Sequence, residues 1–331
     1  MSTSPNTDNY TLGKGIVSFN KRNITTGLYS GERDLGNAPA FSFSAAIEKL
    51  EHYSSRGGLK AKDKEIISQI TPSLSFTLDE INEDNLSLLT LGTVENVVQA
   101  ATSVVDEAFV GYLGRATQLS KRKIGVTTLA HGTVTNGPFV VGDLVTGATS
   151  LATGRVTTVG TGFIQVATAG TFTSTEVINA PATKAATLNA APVFVPGVLK
   201  ITNVGSTTTY IAGTDYKIDL SLKDDQIGRI WILEGSAITD GQPLLATFGC
   251  TGYTYKVVRA FKETQIEGFL RFVSGNPAGG QRELRIWRCS LTPTGDTALI
   301  GEDWATLGFT GEILKDEVGH PESPYMDIIA L

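Results

Sequence analysis

The chain is poor in the residues that carry most catalytic and metal chemistry. Its 331 residues include two cysteines, three histidines and three tryptophans. Cys250 and Cys289 form no CxxC pair and no zinc spacing, so their expected role is that of two buried thiols. His52, His131 and His320 are too scattered to suggest a cluster. No HExxH, GxSxG or GxxxxGK[ST] occurs. Gly13 and Gly15 make a GxG, but in a strand-like segment and without the third glycine. The adjacent acids Asp224–Asp225 and Glu302–Asp303 read as solvated turns. These absences point away from an enzyme, and neither a cofactor nor a metal is expected.

Charge is scarce as well. Only 18% of residues are charged, against roughly 25% in an average domain. The net charge is −6, which argues against a basic surface that binds nucleic acid through its phosphates. No run of about 18 apolar residues exists to span a membrane. The opening MSTSPNTDNY lacks the apolar stretch of a signal peptide, so folding in a reducing cytoplasm is expected. In that compartment the sequons at Asn9, Asn23 and Asn85 are coincidental.

Serine, threonine and glycine take the place of charge, which favours strands and turns over helices. Residues 1–9 are polar and expected to be loose. Leu12–Asn20 reads as a first strand. The segment 41–78 reads as two long facing strands. On the first, Phe41, Phe43, Ala45 and Ile47 alternate with Ser42, Ser44, Ala46 and Glu48. On the second, Ile66, Ile70, Leu74, Phe76 and Leu78 oppose Gln69, Thr71, Ser73, Ser75 and Thr77. Alternation with period two gives each arm one dry face for a core and one wet face. The polar segment between the arms, Glu51–Glu65, reads as a loop far longer than a hairpin requires. Within it Lys60, Lys62 and Lys64 alternate with Ala61, Asp63 and Glu65, a pattern suited to salt-bridged docking on another protein. Gly57 and Gly58 permit positive φ.

After the arms, Asn82 is a candidate N-cap, Glu83 and Asp84 fill a first turn, and Leu86, Leu88 and Leu89 supply an apolar face. Gly92 is the expected stop. Residues 131–190 change character to Gly, Thr, Ala and Val with almost no charge, as in a small β module. Within them PFVVGDLVTG is weakly echoed by TFTSTEVINA. Strands resume from Val193, ending in DWATLGFTGEIL. There Ala305, Leu307, Phe309 and Ile313 face one way and Thr306, Thr310 and Glu312 the other. Trp231, Trp287 and Trp304 lie in strand-like runs, so core packing is expected of each. The fold class is mainly β, with one or two short helices.

Several blocks, in order, resemble a known family. YTLGKGIVSFN, GERDLGNAPAFSFS, IEKLEHYSSRGGLKAKD and NEDNLSLLTLG are followed by YIAGTDYKIDL, GRIWILEGSAITDG, IEGFLRFVSGNPAGGQRELRIWRCSLTPTGD and WATLGFTGEILK. Together they are similar to the major tail tube proteins of long-tailed bacteriophages, chiefly the non-contractile type. The resemblance covers about 10–128 and 193–328.

It implies a discontinuous tail tube domain, 10–128 and 193–331, with a β-sandwich or barrel fold, a flanking helix and a long β-hairpin loop. Residues 129–192 are then a small inserted β domain on the tube exterior. It further implies a structural virion protein that forms hexameric rings, stacked into a hollow tube that delivers phage DNA. The implied partners are further copies of the chain and the tape-measure, tail terminator and distal tail proteins, with DNA passing the lumen unbound. Assembly would take place in the host cytoplasm. The implied contact with the next ring is the loop Glu51, His52, Tyr53, Ser54, Ser55, Arg56, Gly57, Gly58, Leu59, Lys60, Lys62, Asp63, Lys64 and Glu65. The expected lumen wall is Ser42, Ser44, Glu48, Gln69, Thr71, Ser73, Ser75, Thr77, Thr306, Thr310 and Glu312. It contains no lysine or arginine to hold phosphate. The inner tube of a contractile tail or related injection device fits the same blocks. A carbohydrate-binding adhesin would call for exposed aromatics at turns.

Overall fold

The computed structural model describes residues 7–331, so the expected loose tail, 1–9, lies largely outside the described residues. Thr7–Asn9 form a single 3-10 turn. The chain then runs β1 (Gly15–Arg22), β2 (Arg33–Asp34), β3 (Ala40–Ser54), β4 (Ala61–Leu78), α1 (Glu83–Leu89) and β5 (Thr93–Gln99). There follow β6 (Thr102–Gly111), β7 (Ala116–Gln118), β8 (Ile124–Ala130), β9 (Leu144–Gly147), β10 (Thr153–Gly160) and β11 (Phe163–Ala169). Next come β12 (Val177–Ala180), β13 (Lys184–Thr187), β14 (Val193–Pro196), β15 (Lys200–Asn203), β16 (Thr209–Tyr210) and β17 (Tyr216–Lys217). The last are α2 (Asp224–Ile227), β18 (Arg229–Ile232), β19 (Gln242–Cys250), β20 (Tyr253–Arg259), β21 (Ile266–Ser274), β22 (Arg282–Thr294), β23 (Leu307–Ile313) and β24 (Met326–Ala330). Strand accounts for 53% and helix for 5%, so the mainly β class holds.

Two compact units divide the chain. The first comprises 1–96 and 256–331, the second 97–255. The first unit is an eight-stranded sheet in the order β2-β1-β21-β22-β23-β4-β3, with β24 beside β22. Every pairing in it is antiparallel. One face is dry, because Val17, Phe19, Leu74, Phe76, Ile266, Leu270, Leu291, Leu307 and Phe309 alternate inward from successive strands. Phe76 stacks on Phe309 at 5.0 Å and Phe41 on Phe272 at 5.1 Å. Helix α1 lays Leu88 on this core.

The helix begins where the sequence places it. The Asn82 side chain accepts the Asn85 amide at 2.8 Å, one of the donors that a helix N-terminus leaves unpaired. Its end differs from expectation. Leu91, not Gly92, takes the positive φ, at 47°. Gly92 is needed for a different reason, since a Cβ there would lie 2.6 Å from the Arg259 carbonyl oxygen.

In the second unit an eleven-stranded sheet runs β13-β12-β9-β10-β11-β8-β19-β15-β16, with β14 on β8 and β6 on β19. It covers two cores. One centres on Phe248, Ile201, Ile230 and Leu244, the other on Ile164, Val145, Ile178 and Leu129. The second of these cores lies within 129–192, but the compact unit is wider, 97–255. Strand β8 carries the ladder onward to β19, as Gly249 pairs with Gly125 and Cys250 with Ile124. Residues 97–128 and 193–255 therefore belong with this unit rather than with the first. Sequence composition changes at 131 because the outer strands are short and glycine-rich, whereas compactness follows the shared sheet.

The internal echo is structural. Strands β9 and β12 pair with each other, Thr146 opposite Asn179. Ahead of them Phe139 and Phe172 are both buried. The carboxylates of Asp143 and Glu176 each accept the amide three residues earlier, from Val140 at 3.0 Å and Thr173 at 2.6 Å. Gly142 and Thr175 both take positive φ. Each carboxylate then reaches across to the other half. Asp143 meets Lys184 at 2.9 Å, and Glu176 accepts the Ser150 amide at 2.9 Å and hydroxyl at 2.8 Å.

Burial pushes the pKa of Glu176 up, but the Ser150, Thr173 and Thr149 donors outweigh it and leave it below the ordinary carboxylate value. Asp143 follows the same balance through Val140 and Lys184. The Ile211 and Ala237 amides lower Asp215. Lowered values mean that the unfolded chain binds protons more readily than the folded one. Their stabilisation is therefore complete above about pH 4 and lost as the pH falls through and below that range. Circular dichroism during acid titration should show the second unit losing structure there. Glu176→Ala, which strands three amide donors and one hydroxyl, should cost about 2–4 kcal/mol in urea unfolding.

Candidate functional site

The hairpin β3–β4 is longer and more regular than its sequence suggests. The ladder runs from Ala40 opposite Thr77 to Ser54 opposite Ala61. Glu51, His52, Tyr53, Ser54, Lys62, Asp63, Lys64 and Glu65, expected in a loop, are strand residues. Only Ser55, Arg56, Gly57, Gly58, Leu59 and Lys60 form the turn. Paired charge replaces apolar alternation here, which is why a pattern search misses the strands. Lys49 meets Glu65, and Lys62 meets Glu51, at 2.5 Å each, while Lys62 also bonds Glu65. Lys49 and Lys62 hold Glu65 down to about 2. The Tyr53 hydroxyl donates to Glu51 at 2.6 Å, and His52 Nδ1 lies 2.5 Å from Asp63. Gly57 and Gly58 do not use positive φ.

Strand β4 is paired on its other side only from Ser73 to Leu78, where β23 lies alongside. The next residue of β23 after Glu312 would face Pro72, which has no amide to offer. Beyond that point the hairpin carries on alone for ten residues of β3, about 33 Å of strand. Its dry face goes with it. Pro72, Leu74, Phe76 and Leu78 are buried, but Ile47 and Ile70, directly opposite each other, remain 50% and 49% exposed. Phe43, Leu50, Tyr53, Ile66 and Ile67 are likewise exposed. The expectation that the whole dry face packs the subunit core is thus corrected, because among the described residues nothing in the first unit covers Phe43 or the apolar side chains beyond it.

The two faces also exchange. Ser68 is an extra residue on β4, between the pairs Glu48–Gln69 and Lys49–Ile67, and its hydroxyl donates to the Glu48 carbonyl. A bulge re-phases one strand against the other. Ile66, paired with Leu50, consequently faces opposite to Ile70, which is paired with Ile47. The sequence reading had put Ile66 and Ile70 together.

The wet face of the sheet is continuous across four strands. One row reads Ser42, Ser75, Thr310, Thr292, and the next Ser44, Ser73, Glu312, Ser290. Ser42 and Ser75 hydroxyls lie 2.8 Å apart, and Ser44 and Ser73 hydroxyls 2.9 Å. A groove of about 550 Å³ lies over these rows. Thr77, opposite Gly308, extends the face at one end, and Thr71, Gln69 and Glu48 extend it toward the bulge. Thr306 precedes β23 and takes no part in the ladder.

Sequence reasoning missed Ser290 and Thr292. Their alternation with Cys289, Leu291 and Pro293 was the available signal. Further along the second row, Arg22 and Arg288 both bond Glu267. Three carboxylates, Glu48, Glu312 and Glu267, therefore stand against two guanidinium groups, and the face is close to neutral.

Trp304 contradicts its expected core role. It lies 94% exposed in the loop 295–306 between β22 and β23, beside Leu299 and Ile300. Trp231 and Trp287 are half-buried, their indole nitrogens donating to Asp224 and to the Ser323 carbonyl at 2.8 Å each. Among the described residues no cluster of His, Cys, Asp or Glu could hold a metal. His131 is buried against Phe139, and both thiols are buried and unpaired. No helix among them is long and apolar enough to cross a membrane.

Exposure separates two classes of apolar residue on one hairpin. Ile47→Ser with Ile70→Ser should change stability by less than about 1 kcal/mol, as at other exposed sites. Phe76→Ala should cost about 3–5 kcal/mol. Urea unfolding of the two variants measures the contrast.

Comparison with known proteins adds one finding. No curated protein matches the chain. A family described as "Protein of unknown function UCP028589" matches residues 10–155 and 158–329. Its match runs through almost all of 129–192, so that stretch is part of the family's own plan. The chain belongs to this family.

Proposed function

We propose that the chain is the structural subunit of a phage tail tube, self-assembling into stacked hexameric rings around a channel for DNA. The observation that carries this reading is the hairpin. A subunit meant to remain alone would not hold exposed Ile47, Ile70, Leu50 and Ile66 on a hairpin that reaches about 30 Å beyond its own sheet. Nor would it leave a 15-residue edge strand, β3, unpaired on its outer side, since such an edge invites pairing with another chain. Ring closure would cover the edge, and the next ring would cover the stripe.

The hydroxyl face supports the same reading. A wall of serine and threonine, with its arginines already bonded to Glu267, offers few cations to displace the counterions of DNA and so little hold. Six copies per ring, the tape-measure, terminator and distal tail partners, and the virion as location follow from the sequence resemblance. The exterior role that the resemblance implies for 129–192 is kept as part of the proposal.

Negative-stain microscopy of purified protein at rising concentration should show rings or hollow tubes. Persistent monomers at high concentration, by sedimentation velocity, would overturn the proposal. Ser44→Lys with Ser75→Lys and Thr310→Lys should still assemble. Those tubes should then retain short duplex DNA in low salt and release it as salt rises, which unmodified tubes do not do.

A further inference from the structure

The hairpin tip and the loop 295–306 occupy opposite ends of one sheet. Strand β4 ends at Leu78, opposite Leu307, the first residue after the loop. From there β4 runs back 18 residues to Ala61 and the turn, roughly 55–60 Å of strand. Both ends present apolar side chains to solvent. Leu59 in the turn is 90% exposed, and in the loop Leu299 and Ile300 are 84% and 97% exposed beside Trp304. A twelve-residue loop without regular structure between two core strands is uncommon, and long loops of this kind are generally functional.

Their charges are opposite. The loop carries Asp296, Glu302 and Asp303 and no cation. None of the three makes an ion pair among the described residues. At the tip, Lys49, Lys62 and His52 are bound to Glu65, Glu51 and Asp63, whereas among the described residues Arg56, Lys60 and Lys64 have no such partner. Three cations around Leu59 at one end therefore match three carboxylates around Trp304 at the other. Three other exposed apolar residues at the loop's end of the sheet lie beside cations instead. Phe261 lies next to Lys262, while Leu28 and Ile24 lie near Lys21, whose partner Glu263 is already bonded to it.

We propose that the loop 295–306 of one copy receives the hairpin tip of a second copy, with Trp304 and Ile300 packing on Leu59 and the acids of the loop pairing with Arg56 and Lys60. A surface and its complement at opposite ends of the same chain generate head-to-tail growth without closure, the symmetry of a stack. Each contact is small. Repetition around a ring makes it cooperative, because later contacts form at high effective concentration. The proposal rests on the self-assembly reading and adds to it the surface that receives the tip.

Charge exchange tests it. Arg56→Glu with Lys60→Glu, and separately Glu302→Arg with Asp303→Arg, should each lower the assembled fraction about tenfold or more in sedimentation velocity. All four substitutions in one chain should restore assembly. All four positions are exposed, and circular dichroism checks that each variant folds. In a second experiment Leu59→Cys and Trp304→Cys are combined in one chain. Mild oxidation of its assemblies should give a ladder of covalent multimers on a non-reducing gel, since both native cysteines are buried. Normal assembly by the separate variants, or no ladder from assembled protein, would overturn this inference and leave the tube reading standing. Failure of the unaltered protein to assemble at all would overturn both.

Discussion

Strand β4 is held on both sides over six residues and on one side over the other twelve. The rest of the first unit follows from that inequality. Where β23 lies alongside, the alternation of β4 resolves into a buried face and a hydroxyl face. Where it stops, at the proline that cannot donate, the same alternation continues without a core to receive it. Burying a Leu or Ile side chain is worth about 1.5–3 kcal/mol. Leaving Ile47, Leu50, Ile66 and Ile70 in water forgoes that stabilisation, and it becomes available to a partner.

The hairpin must then stand without packing. A two-stranded ribbon is marginal in water. Here its outer half is held by cross-strand charge pairs and by the exposed apolar pairs Ile47–Ile70 and Leu50–Ile66. Exposed ion pairs contribute little stability each, but they fix register, and register decides which face every side chain occupies. The bulge at Ser68 shows the consequence, as one extra residue sends Ile66 and Ile70 to opposite sides.

The second unit is built differently. Its strands are short, its turns rely on positive φ, and its loops are pinned by buried carboxylates that accept backbone amides. Asp143 and Glu176 do this at equivalent positions of two similar segments, which explains a sequence echo too weak to interpret alone. Such pins make the unit dependent on ionised acids, whereas the core of the first unit relies on aromatic and aliphatic packing.

The sequence by itself determined the local features. Alternation named the dry and wet faces of β3, β4 and β23. Asn82 with its acidic first turn marked the helix, and alternating serine and threonine marked the hydroxyl rows of β3 and β4. Each depends on neighbours within a few residues. Tertiary structure alone decided the rest. Whether Ile47 is buried depends on how far β23 extends. Whether Ser290 joins the hydroxyl face depends on pairing with a strand more than 20 residues away. Whether Trp304 packs or projects depends on the loop that holds it. The extent of the second unit likewise follows from β8 meeting β19, a contact between distant segments that composition does not record.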